Sequence, residues 1–267
     1  MTARHVRPSR SEMTGAMGTD SQTTALPAAH SVLAVCAHPD DESFGLGAAL
    51  EIFATQGSST AVLVFTNGEA STLGLATDLR SVRRAELSNA ASELGVGQIE
   101  LFDHPDGSLA DEPFEQLVTQ VGQVAVLVGA DLLLAFDRGG ITGHPDHQRA
   151  TDAAVAYAER AGLSVLAWVL PQKAALSLNR EFATSFVGRD DEHIDIVVLV
   201  NRTRQRRAIA CHTSQSTANP VLSRRLELLD DREYFRWLRL PTAGEAGYPD
   251  QRARSGEPHR PVREDEP

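Results

Sequence analysis

Short apolar runs rich in β-branched residues alternate along this chain with longer amphipathic stretches, and the two periodicities predict strands and helices in regular succession. The runs Ser31–Ala37, Thr60–Thr66, Ile99–Asp103, Ala130–Phe136 and Ser164–Leu170 read as buried strands. The helical stretches Gly45–Gln56, Leu79–Leu94, Phe114–Val128 and His144–Ala161 fall between them, and Gly57 and Gly95 act as stop signals for the first two. This alternation predicts an α/β fold with a mostly parallel sheet flanked by helices. Past Pro171 the pattern supports only a strand at His193–Val200 and a helix at Thr203–Cys211. Residues 1–30 lack apolar periodicity and read as a disordered leader; 31–241 form the domain; 242–267, rich in Pro, Gly, Arg and Glu, read as a disordered polar tail.

Composition narrows the function classes. A chain of 267 residues, 42% of them hydrophobic, is long enough for one large α/β domain with a substantial core. The formal net charge of -11 is a poor basis for holding nucleic acid or an anionic membrane, because both require a positive surface. No stretch approaches the ~18 consecutive apolar residues of a membrane span, and the N-terminal residues lack the apolar run of a signal peptide. Two cysteines, Cys36 and Cys211, are too few for a disulfide framework, which points to a reducing cytoplasm. The expected partner is a small molecule, with no nucleic acid and no membrane; a homo-oligomer is compatible with the sequence.

The chemistry is concentrated in two loops. One follows the first strand and reads Ala37-His38-Pro39-Asp40-Asp41-Glu42; the other follows the fourth and includes Gly143-His144-Pro145-Asp146-His147. In an open parallel sheet, ligands bind at the carboxyl ends of the strands, so both loops belong to one edge. Taken singly, Asp40 or Asp41 is an ordinary helix cap, and a lone histidine at a strand end is usually solvated. Two HPD clusters at one edge differ, because so many acids and imidazoles are costly to crowd together unless a cation or tuned proton chemistry offsets them. His38, Asp41 and His147 would supply the three protein ligands of a catalytic zinc site, and the absence of thiolates leaves other divalent ions such as Fe²⁺ compatible.

At these residues the chain resembles the LmbE-like, or PIG-L, family of deacetylases, whose signatures are an AHPDDE motif after the first strand and a later GHPDH motif. Thr66-Asn67-Gly68-Glu69, Arg83-x-x-Glu86-Leu87, Pro105-Asp106-Gly107-x-Leu109 and Ala210-Cys211-His212-Thr213-Ser214-Gln215 resemble further family segments. The resemblance spans roughly 31–240. It implies a Rossmann-like deacetylase fold and zinc-dependent hydrolysis of the N-acetyl amide of an N-acetylglucosamine-containing small molecule or glycoconjugate. It further implies His38, Asp41 and His147 as metal ligands and Asp40 as general base, with His144 stabilising the oxyanion or acting as acid. Asp146 would orient an imidazole, and His212 is a second candidate acid. Asp106, Arg80 and Glu69 are candidate substrate contacts near the same edge. Relatives that act on the acetylglucosaminyl-inositol precursor of mycothiol carry a tyrosine in the loop before GHPDH. Here that loop is Gly139-Gly140-Ile141-Thr142-Gly143.

Three other readings use the same residues. An amidase of a thiol-sugar, mycothiol-type conjugate would keep the metal and the base and change only the acyl group. A non-catalytic metal-containing sugar-binding module would not need Asp40. A metal-dependent phosphatase would want more positive charge or a second, carboxylate-bridged metal.

Overall fold

The computed structural model describes residues 24–73, 77–217 and 219–240. The chain begins with β1 (Ser31–Cys36), α1 (Asp41–Phe44), α2 (Gly47–Thr55), β2 (Ser59–Thr66), α3 (Leu79–Leu94), β3 (Gln98–His104) and α4 (Phe114–Val128). It continues through β4 (Leu132–Phe136), α5 (Gly140–Gly143), α6 (Pro145–Ala161), β5 (Ser164–Trp168), β6 (Leu170–Pro171), α7 (Gln172–Phe182) and β7 (Gly188–Arg189). β8 (Ile196–Leu199), α8 (Thr203–Cys211), α9 (Thr213–Ser216), α10 (Pro220–Leu229) and β9 (Arg232–Arg239) complete it.

A seven-stranded sheet runs β3-β2-β1-β4-β5-β9-β8. The first five strands are parallel, and β9 is antiparallel to both β5 and β8. All six residues of β1 are buried because helices cover both faces. Val32, Ala34 and Cys36 pack into the core beneath α2 and α3, whereas Leu33, Val35 and Ala37 pack into the core beneath α4 and α6. The strand order reverses between β1 and β4. At such a point the two flanking connections leave on opposite faces and open a crevice at the carboxyl ends of the strands. The HPD loops both lie there, one after β1 and one after β4.

The predicted parallel strands and their helices are all present, with shifted ends. The helix expected at Gly45–Gln56 is two pieces, α1 and α2, because the turn already begins at Asp41. Gly95 takes the left-handed conformation at the end of α3, with φ 79. Contacts with the domain begin before residue 31: Leu26 is buried in the core and the Thr24 amide donates to the Val197 carbonyl at 2.7 Å. The remainder of the leader and the tail from 242 lie outside the described residues. The elements α7, α10 and β9 have no counterpart in the sequence reading, and neither do the short α5, β7 and α9.

Candidate active site

Two turns place the ligand candidates. The segment after β1 folds straight into α1, and Asp41 Oδ2 accepts from the amides of Ala37 and His38, each at 3.0 Å. Those bonds fix the turn and leave Asp41 Oδ1 facing outward. Asp40 adopts φ 125, a conformation that costs energy for any residue with a Cβ. The second turn is capped by His144, whose Nδ1 accepts from the Asp146 amide at 3.2 Å; Pro145 then occupies the first position of α6, where its missing N–H costs nothing.

His38, Asp41 and His147 converge, with one donor atom of each lying within 4.8 Å of the others. His147 Nε2 is 3.1 Å from Asp41 Oδ1 and 3.2 Å from His38 Nδ1. The opposite edge of each imidazole settles its tautomer. His147 Nδ1 donates to the Gly140 carbonyl at 3.0 Å. His38 Nε2 donates to Asp106 Oδ1 at 3.0 Å and Asp146 Oδ2 at 3.2 Å. Neutral imidazole has one donor and one acceptor, so two bare lone pairs and a carboxylate oxygen point at one spot. That donor set repels itself unless a proton or a cation sits among its members, and it fits a divalent cation taking nitrogen and oxygen ligands. Burial alone would lower the His38 pKa; hydrogen bonds to Asp106 and Asp146 and the charge of Asp41 outweigh it and raise the value to about 10. Burial likewise opposes ionisation of Asp41, but the charge and hydrogen bond of His147 hold its carboxyl below the usual range.

Asp40 lies beside this cluster without belonging to it. Its carboxylate pairs with Arg83 at 3.0 Å. Burial pushes its pKa up to about 6, even though the Arg83 guanidinium pulls the other way. Arg83 is itself buried and donates to the carbonyls of Gly68 and Pro39. Gly68 is a requirement of that arrangement. It has φ 66, and a Cβ there would lie 1.9 Å from Arg83 Nη1.

A cavity of about 580 Å³ opens above these residues. His38, Asp40, Asp41, His144 and His147 lie along one wall; Phe44, Phe136, Ile141, Phe186 and Leu222 form apolar walls. Because Nδ1 of His144 accepts a hydrogen bond, its neutral form carries the proton on Nε2. Burial and the neighbouring imidazoles of His147 and His38 lower its pKa. Asp146 is fully buried and takes three donors: His38 Nε2, the Gly107 amide at 2.8 Å and the Leu109 amide at 3.0 Å. It orients His38 rather than touching the cavity.

The remaining candidates fare differently. Asp106 lines the cavity, but its oxygens already accept from His38 and, at 2.9 Å, from the Ala70 amide, so it too positions His38. Arg80 and Glu69 do not line the cavity. Arg80 pairs with Asp103 on the surface, and Glu69 accepts from the Asp106 amide at 3.3 Å, bracing that loop. His212 lies away from the cavity. It is fully buried behind α1, its Nε2 bonded to Glu42 Oε1 at 2.6 Å, and it does not line the cavity. Burial lowers its pKa, and the Glu42 carboxylate more than reverses this. Arg83 and Arg225, both in the cavity wall, were missed as functional candidates. In the sequence Arg83 stands out only within a helix signature, and α10, which carries Arg225, has no readable periodicity. Among the described residues no tyrosine lines the cavity; the loop before GHPDH offers Ile141 and Thr142 instead.

Comparisons with known proteins agree with this geometry. The family described as PIG-L, GlcNAc-PI de-N-acetylase, matches residues 33–158, the stretch that carries both HPD turns. A 1D-myo-inositol 2-acetamido-2-deoxy-alpha-D-glucopyranoside deacetylase of Kineococcus radiotolerans is 30% identical over 156 residues, covering 46% of this chain and 43% of its own. The matched stretch spans about half the length, or less, of the first such curated relatives. The N,N'-diacetylchitobiose deacetylase of Pyrococcus horikoshii shares the fold, with TM-score 0.60 and 18% identity over 79% of this chain and 84% of that one. So does the 4-carboxy-2-hydroxymuconate hydratase GalB of Pseudomonas putida, with TM-score 0.61 and 17% identity over 79% of this chain and 97% of that one. The fold thus accommodates more than one chemistry, and the function has to be argued from the site. The matched stretch and its two HPD turns make the chain similar to the PIG-L family over residues 33–158.

Proposed function

We propose that this protein is a zinc-dependent N-deacetylase that hydrolyses the acetamide of an N-acetylglucosamine-containing small molecule or glycoconjugate. The observation that carries this reading is the convergence of one ring nitrogen each of His38 and His147 and a carboxylate oxygen of Asp41 on the wall of a cavity, with a raised-pKa carboxylate, Asp40, beside them. When bound, the ion would polarise the amide carbonyl and acidify water, the two barriers in amide hydrolysis. His38, Asp41 and His147 would hold it. Asp40 would take the proton of the attacking water, and a pKa near 6 suits a base working at neutral pH. Arg83 keeps that carboxylate aimed and ionised. His144, with its proton on Nε2, would donate to the oxygen that gains charge as the carbonyl carbon becomes tetrahedral. Asp146 and Asp106 would fix the tautomer of His38.

The apolar walls suit a substrate with non-sugar surface beside the acetamide. Relatives acting on amino-sugar compounds support the substrate class. Cys36 and Cys211 are free thiols, which fits a reducing cytoplasm, and among the described residues no helix is long and apolar enough to cross a membrane. The test combines elemental analysis with amine release from N-acetylglucosamine, its disaccharide and its inositol conjugate. Stoichiometric zinc together with amine release that Asp40→Asn abolishes is the expected result. Zinc-loaded protein that releases no amine from any of them would overturn the deacetylase reading.

A further inference from the structure

Arg225 stands in the cavity wall and forms no ion pair with a carboxylate of the described residues, although Glu233, Asp40 and Asp41 are near enough to favour its charge. It lies on α10 and is only 9% exposed. Its Nη2 donates to the Phe44 carbonyl at 2.7 Å, while its Nε is buried with no partner. Nη1 has no hydrogen-bond partner among the described residues. The ring of Trp168 lies 5.3 Å from its Cζ. The acid nearest in chemistry, Glu233, is already occupied: one oxygen accepts from Trp168 Nε1 at 2.5 Å and the other pairs with Arg202. Burial draws the Arg225 pKa down to about 10, so the group is still a cation at neutral pH.

The two other buried arginines of this region are each matched. Arg83 faces Asp40, and Arg202 faces Glu233. A buried guanidinium without an ion-pair partner is costly to keep, and Arg225 lines a cavity rather than lying in solid core. Phe44, Val221 and Leu222 line the cavity with it. Such apolar neighbours weaken screening and strengthen any charge pairing formed there. A guanidinium fork matches the oxygen spacing of carboxylate and phosphate alike.

We propose that Arg225 receives an anionic group, a carboxylate or a phosphate, carried by the amino-sugar substrate. This rests on the deacetylase reading and narrows its substrate class to anionic amino-sugar conjugates. Arg83 cannot serve the same purpose, because Asp40 already neutralises it.

The test uses the full zinc-loaded chain and three substrates: the neutral inositol glycoside of N-acetylglucosamine, its glycoside with a hydroxy acid, and N-acetylglucosamine 1-phosphate. The readout is the ratio of kcat/KM for each anionic substrate to that for the neutral one. A hydrogen-bonded charge pair of this kind corresponds to about a tenfold to hundredfold preference. The expected result is such a ratio in the wild type, a collapse towards one in Arg225→Met, and partial recovery in Arg225→Lys. Which anionic substrate leads distinguishes carboxylate from phosphate. A wild-type ratio near one, or an unchanged ratio in Arg225→Met, overturns the proposal. Calorimetric titration of the wild type with N-acetylglucosamine and with its 1-phosphate gives a second measurement that needs neither turnover nor a folded variant. Equal affinities there also overturn it. If no substrate releases amine while the anionic sugar binds at least tenfold tighter, the deacetylase reading fails and the anion site stands.

Discussion

Replacing Asp146 by Asn tests the idea that metal affinity is set by the tautomer of His38. The substitution preserves volume in a fully buried position and removes one acceptor. Oδ2 accepts from both His38 Nε2 and the Gly107 amide, whereas Oδ1 accepts from the Leu109 amide alone. The least costly arrangement therefore keeps the amide oxygen at the Oδ2 position and turns the new NH₂ towards the Leu109 N–H. Two donors then face each other in a dry site, which costs about 1–3 kcal/mol of stability. The His38 Nε2–H keeps a neutral acceptor in place of a charged one, so its Nδ1 becomes a weaker base towards a cation. Losses at such supporting partners commonly run about 10–100-fold in metal affinity. Asp106 Oδ1, 3.0 Å from the same Nε2, limits the damage, so the single variant falls at the lower end of that range and the double Asp106→Asn/Asp146→Asn variant exceeds it. Zinc dissociation constants from chelator competition, measured beside thermal melts, separate the two effects. Asp146→Asn with wild-type zinc affinity would refute the tautomer argument, whatever its melting temperature.

Other perturbations probe other parts of the site. Asp40→Asn keeps the metal and lowers kcat about 10²–10⁴-fold in an amine-release assay, the usual worth of a positioned base; wild-type turnover would remove Asp40 from that role. Because Asp40 acts deprotonated, kcat/KM rises with pH through a limb at or below about 6, a bound cation shifting it only downward, and Asp40→Asn abolishes that limb in the pH profile. Gly68→Ala forces a Cβ to within 1.9 Å of Arg83 Nη1 at φ 66 and should cost about 1–3 kcal/mol, read by chemical denaturation, while displacing the partner of Asp40 and lowering kcat. His212→Ala strips Glu42 of its buried partner and should destabilise the fold by about 3–5 kcal/mol; zinc content of the folded fraction stays at the wild-type level, and a loss of zinc in that fraction would return His212 to the metal site.

The division between legible and illegible parts of this molecule follows how far apart interacting residues lie along the chain. His38, Asp40 and Asp41 share one turn, His144, Asp146 and His147 another, and the strand alternation puts both turns at one sheet edge; every link of that chain is local. β9 was missed for the opposite reason. Its sequence, Arg232–Arg239, carries three arginines and a glutamate where a central strand should be apolar. It can sit between β5 and β8 because Glu233 is neutralised by Arg202 and takes the Trp168 N–H, partners 31 and 65 residues away. No periodicity encodes such a pairing. The surroundings of His212 were equally hidden, since its partner Glu42 is 170 residues distant. A histidine next to a family motif and a histidine buried against an acid look identical in sequence; only the closed ion pair behind α1 tells them apart. The unmatched Arg225 is the converse: a buried charge whose partner is missing from the described residues. Where long-range pairing is complete, as at Glu233 and His212, the residue is explained by the fold. Where it is incomplete among the described residues and opens on the cavity, an anionic substrate would complete it.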